Sequence, residues 1–127
     1  MKHIRQVLFA LARSSLVGWI VGWLFAHMSF AIPVNRLRET DTLIAFHHPK
    51  PSHPVHILLV PKRQLPSLLA VGLAEADFLA DLYRIVQELV VELALEKPGY
   101  TLLVNGGAYQ DVPQLHFHLI SGRRGDA

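Results

Sequence analysis

Cysteine is absent from the 127 residues, which rules out disulfides and any thiolate-held zinc or iron–sulfur centre, and leaves no redox compartment to be read from thiols. No run of like charge is present either. The 12 Lys and Arg and 10 Asp and Glu are dispersed, so a pI near 9.2 reflects scattered cations rather than the continuous stripe of a nucleic-acid footprint. Nucleic acid is therefore not an expected partner, whereas a small anionic ligand is. Internal repeats and low-complexity tracts are missing as well, and the length leaves room for one compact domain plus an appendage. What the chain has in excess is apolar surface. Half of it, 51 %, is hydrophobic and the mean hydropathy is +0.30, with the surplus concentrated in the first third.

Residues 14–32 carry no formal charge, close to the roughly 20 apolar residues that a helix needs to cross the hydrocarbon core. Lys2, Arg5 and Arg13 flank the stretch on its N-terminal side, and Trp19 and Trp23 lie within it. Two other readings compete. One is a secretory signal, with Ser29-Phe30-Ala31 as a small-x-small cleavage site; the other is a buried helix of a soluble domain. The stretch is long for a signal and has no polar face for a soluble helix. The expectation is thus a single transmembrane helix in an anchor over residues 1–31, held in the lipid bilayer and followed by a domain over 32–127. Ser14, Gly18, Gly22 and Ala26 recur every fourth residue and form a small-residue stripe on which a second copy or a membrane-complex partner can pack.

After Pro33 the pattern changes to short strands. Residues 36–38 and 42–47 read as a hairpin turning near Glu39-Thr40-Asp41, and residues 55–60 as a further strand. A short helix fits within 64–71, after Pro66. Phe78, Leu82, Ile85, Leu89 and Leu93 recur at helical spacing and predict a long helix over 73–96, stopped by Lys97-Pro98-Gly99. Strands at 100–104 and 114–121, separated by an Asn105-Gly106-Gly107 turn, complete the set. The fold class expected is α+β: an antiparallel sheet of about five strands with one long and one short helix.

The chemistry lies in the last strand. In Gln-Leu-His-Phe-His-Leu-Ile, residues 114–120, Leu115, Phe117 and Leu119 face one side and Gln114, His116 and His118 the other. Two imidazoles two residues apart on a rigid strand can address one bound group together. Upstream, Asn105-Gly106-Gly107 and Gln110 offer amides suited to phosphate oxygens, and His56 lies on another strand able to complete the cluster. Without this context an alternating His strand is more often a solvated sheet face. His-x-His with His56 is also a zinc geometry, ranked below an anion site.

The segment NGGAYQDVPQLHFHLISG resembles the pattern of the histidine triad (HIT) superfamily: an Asn-Gly turn, a Gln, then His-φ-His-φ-His-φ-φ, where φ is apolar. Upstream, IPVNRLRETDTLIAFHHPKP and HILLVPKR are similar to the family's opening hairpin and its His-to-Pro-Lys strand, so the resemblance spans about residues 32–122. It implies a HIT-like fold binding a purine nucleotide or nucleoside phosphate. Within it, His116 is the nucleophile that attacks the α-phosphorus to give a nucleotidyl-histidine. His118 bonds the phosphate or protonates the leaving group, and Asn105 and Gln110 hold phosphate oxygens. His56 supports the cluster, and Phe46 with His47 line the base and ribose pocket. No metal or cofactor is required.

Two departures from the pattern bear on activity. Gln114 stands where the resemblance implies the first triad histidine, and an amide cannot shuttle a proton. His48 stands where many members have an Asp that grips the ribose hydroxyls. The functional expectation is a membrane-anchored nucleotide phosphoester or phosphoramidate hydrolase or nucleotidyl transferase. The alternative is a catalytically weakened HIT-like accessory subunit of a membrane complex. Counting cations around the apolar stretch slightly favours an exported domain, but a nucleotide ligand favours one facing the cytoplasm, which is the expectation carried forward. Two-fold dimerisation through the sheets is a further implication of the resemblance.

Overall fold

The computed structural model describes residues 36–127. The expected membrane anchor, with its Ser14/Gly18/Gly22/Ala26 stripe, lies outside the described residues; among those described, no helix is long and apolar enough to cross a membrane. Five antiparallel strands, β1 (Arg36–Glu39), β2 (Leu43–His47), β3 (Val55–Pro61), β4 (Thr101–Val104) and β5 (Phe117–Ser121), form one sheet in the order β1-β2-β3-β5-β4. One helix, α1 (Ala76–Glu92), covers a face of it. The α+β arrangement with about five strands is therefore the one observed. The short helix expected after Pro66 is a single 3-10 turn, Leu68–Ala70.

The core forms where the two periodicities meet. Phe78, Leu82, Ile85, Val86, Leu89 and Val90 of α1 pack on Leu43, Ala45, Ile57, Leu59, Phe117 and Leu119, every second residue of the three central strands. Truncating any of the leucines, isoleucines or phenylalanines among these to Ala would cost about 2–5 kcal/mol. The other face of the sheet carries a small apolar cluster of Ile44, Phe46, Leu58 and Val60.

Two boundaries differ from the sequence reading. The helix was expected to run to residue 96 but ends at Glu92, because Ala94 adopts a left-handed conformation with φ 55°. Its amide donates to the Val91 carbonyl (3.1 Å) and the Leu95 amide to the Val90 carbonyl (2.9 Å), the paired bonds of a Schellman stop. Leu95, 3 % exposed, is thereby turned into the core. The last strand starts at Phe117 rather than Gln114, since the Leu115 amide donates instead to the Leu65 carbonyl (2.7 Å) in the loop after β3. Arg63 and Glu75 (2.7 Å) tie that loop to the start of α1.

Candidate active site

Burial alternates from Leu115 to Ser121: Leu115, Phe117 and Leu119 enter the core, and His116 and His118 stand half-buried on the opposite face. Register extends that face across the sheet. His118 lies opposite Leu58 of β3 and Leu103 of β4, and Leu58 lies opposite Phe46 of β2. His56, two residues before Leu58, shares the face. The ring centroids of His116 and His118 are 5.1 Å apart and those of His56 and His118 are 5.2 Å apart.

The hydrogen bonds fix which nitrogen of each ring carries the proton. A backbone carbonyl only accepts, so the 2.8 Å contact of His116 Nδ1 with the Gln114 carbonyl makes Nδ1 the donor; in the neutral ring Nε2 then holds the lone pair. A backbone amide only donates, so the Ser52 amide, 3.0 Å from His56 Nδ1, makes that nitrogen an acceptor. Neutral His56 therefore carries its hydrogen on Nε2 and donates it to His118 Nδ1 at 2.9 Å. His118 is left with its hydrogen on Nε2. Among the described residues this is the one buried side-chain nitrogen or oxygen without a hydrogen-bond partner, a deficit worth about 1–3 kcal/mol until a ligand fills it. Two adjacent rings thus present a lone pair and an N–H donor.

Electrostatics keeps this arrangement in place. Burial lowers His118 to about 4, helped by repulsion from His116, His56 and His48, while Asp111 acts in the opposite sense. Burial, then His48 and His53, lower His56 to about 4. His48 is lowered as well, by burial and by His116. All three rings are therefore neutral at neutral pH.

The rings open on a cleft of about 200 Å³ bordered by His48, Leu58, Val60, Asp111, His116 and His118. Ligand pockets for extended molecules run to ~300–1,000 Å³, so this space suits one compact group such as a phosphoryl. Gln114 also borders it, with its amide engaged by backbone groups. Gln114 Oε1 accepts from the Leu65 amide (3.2 Å), and Nε2 donates to the carbonyls of Arg63 (3.0 Å) and Pro61 (3.3 Å). Gln110 is likewise engaged, donating from Nε2 to the carbonyls of Pro66 (2.7 Å) and Val112 (2.9 Å). Asn105 follows β4 at the end where Val104 pairs with Phe117, beside the approach to His116.

Phe46 and His47 are neighbours on a strand and so face opposite sides. Phe46 joins the apolar cluster on the cleft face, whereas His47 is exposed opposite Ile57, on the helix side. His48 is the imidazole that borders the cleft, its ring 4.4 Å from that of His56. Sequence reasoning placed it at a ribose-gripping position without counting it among the site residues, although its parity with Phe46 was a signal. No group of three or more His, Asp or Glu among the described residues is disposed to hold a metal ion.

Comparison with known proteins agrees with this geometry. The family model described as the HIT domain matches residues 29–125. A HIT-like protein of Azospirillum brasilense is 38 % identical over 97 residues, 73 % of this chain and 79 % of its own length. A crystal structure of a HIT family hydrolase from Legionella pneumophila superposes with a TM-score of 0.71 at 26 % identity, covering 80 % of this chain and 92 % of that one. A histidine triad nucleotide-binding protein from Candida albicans superposes with a TM-score of 0.68 at 29 % identity, over 84 % and 76 % of the two chains.

Proposed function

Because the chain belongs to the HIT domain family, we propose that it is a membrane-anchored hydrolase or nucleotidyl transferase. Its substrates would be purine nucleoside phosphoesters or phosphoramidates, cleaved through a nucleotidyl-histidine intermediate on His116. The observation that carries this reading is the pairing of a lone pair on His116 Nε2 with the orphaned donor on His118 Nε2. The His116 lone pair attacks the α-phosphorus while the His118 N–H holds a non-bridging oxygen. The bond to the leaving group breaks and its electron pair departs with the leaving atom. His116 Nδ1–H stays on the Gln114 carbonyl, so the phosphorus-bound ring is cationic and labile. Water then attacks, nucleoside monophosphate leaves and the pair returns to Nε2. The Ser52 amide holds His56 in one tautomer, and through it His118, which makes His118 a standing hydrogen-bond donor. The proton taken by the leaving group comes from solvent at the open cleft.

Release of AMP from an adenosine phosphoramidate by wild type and by His116→Ala tests the reading. A fall of at least ~100-fold is expected; equal rates would end it. The accessory-subunit reading draws support from Gln114, whose amide is fully engaged by backbone groups and moves no proton. Detergent-purified protein that turns over without a partner would contradict it.

A further inference from the structure

The cations of the domain divide into two sets. Arg36, Arg38, Lys62, Arg63 and Arg84 each pair with a carboxylate. Lys50, Lys97, Arg123 and Arg124 are exposed and, among the described residues, form no ion pair. All four of the second set lie at one end of the sheet. Lys50 is in the loop between β2 and β3, Lys97 lies between α1 and β4, and Arg123 and Arg124 follow β5. Register brings those connections together, since His47 pairs with Ile57, Val55 with Ser121 and Thr101 with Ile120. The Gly125 amide donates to the Ser52 carbonyl (2.8 Å) and the Ser121 hydroxyl to the Gly99 carbonyl (2.6 Å), which ties the segments to one another. On residues 48–54, 93–100 and 122–127 the acidic side chains are Glu96 and Asp126, so cationic side chains are in excess there.

The same end receives the chain. β1 starts there at Arg36, opposite Phe46, and residues 33–35 alone separate it from the charge-free stretch that ends at residue 32. A link of that length reaches at most ~15 Å. The far end of the sheet lies roughly 20 Å further along β3, and the connections there carry Lys62 and Arg63, both already paired with carboxylates. With the stretch held in a bilayer, the tether keeps the unpaired cations beside the surface. Attraction between Lys or Arg and anionic headgroups acts there and fades within a Debye length of ~8 Å.

We propose that this end of the sheet is a membrane-docking surface, on which Lys50, Lys97, Arg123 and Arg124 bind the phosphates of anionic phospholipid headgroups and hold the domain with its strands upright on the bilayer. This rests on the anchor reading of residues 1–31 and is independent of the chemistry at His116. With the strands upright, the imidazole cleft on the sheet face opens sideways into water rather than onto lipid.

Because the chain has no cysteine, a single introduced one takes a fluorescent donor at a chosen position. Pro51→Cys reports on the end bearing the cations and Leu73→Cys, at a residue 98 % exposed, on the far end. Each full-length protein is reconstituted into vesicles of phosphatidylcholine alone or equimolar with phosphatidylglycerol, with an acceptor on a trace of headgroup-labelled lipid. In phosphatidylglycerol vesicles, energy transfer from position 51 is expected to exceed that from position 73 about twofold, as ~20 Å of strand height imposes. Most of that difference is expected to be lost in phosphatidylcholine alone, in 1 M salt, where the Debye length falls to ~3 Å, and in K50E/R123E/R124E. Equal transfer from the two positions in phosphatidylglycerol vesicles, or a difference indifferent to lipid charge, salt and charge reversal, overturns the docking surface. Carbonate washing of the same vesicles separates this from the anchor reading. Protein that resists the wash yet shows no charge-dependent difference keeps the anchor and loses the surface. Protein that is washed off, but rebinds phosphatidylglycerol vesicles and fails to do so as K50E/R123E/R124E, keeps the surface and loses the anchor. If it binds neither kind of vesicle, both fall.

Discussion

Gln114 ties the loop after β3 to the segment that carries the two half-buried imidazoles. It is 1 % exposed, and its three hydrogen bonds fasten residues 61–65 against the approach to β5. Gln114→Ala leaves the buried Leu65 amide without its Gln114 partner, so a loss of about 1–3 kcal/mol is expected, read as a lowered urea midpoint; an unchanged midpoint would show that the bracket contributes nothing. The buried imidazoles make a second prediction. His56 and His118 titrate at about 4 in the folded chain, below the ordinary 6.5, so the unfolded chain takes up more protons between those values and acid favours unfolding. Stability should hold above pH 6.5 and fall as pH drops from 6.5 towards 4. Melting curves over that window should slope less in His56→Gln and His118→Gln; identical slopes would refute the assignment. The positions of His116 and His118 were legible from alternation alone. The roles of Gln114 and Gln110 were not, because an amide's partners here are backbone groups of a distant loop, which no spacing encodes.

Among the elements, the strands were read to within about three residues, since each is a short apolar run bounded by turn residues. The end of α1 was misjudged because Lys97-Pro98-Gly99 is a strong stop signal and Ala94 a weak one. What ends the helix is tertiary: Leu95 enters the core, and Ala94 accepts a left-handed φ of 55° to let it. That conformation costs a non-glycine residue about 1–2 kcal/mol, against ~0.4–1 kcal/mol of extra chain entropy lost if glycine is placed there. Ala94→Gly should therefore stabilise the domain by roughly 0.5–1 kcal/mol, seen as a raised Tm; a lowered Tm would contradict the Schellman reading.

At the scale of the whole molecule, a charge-free stretch at residues 14–32 precedes a domain whose sheet carries the imidazole cleft on one face and packs its helix on the other. The anchor proposal predicts that the full chain stays with the membrane pellet after alkaline carbonate extraction, and release into the supernatant would count against it. The central claim concerns His116, and trapping the intermediate reaches it most directly. Full-length protein mixed with an excess of an adenosine phosphoramidate, quenched within one turnover and digested, should yield a peptide bearing a nucleotidyl group on His116. The same digest from His116→Ala should carry none. An unmodified His116 despite turnover, or an equal adduct in the Ala variant, would contradict it.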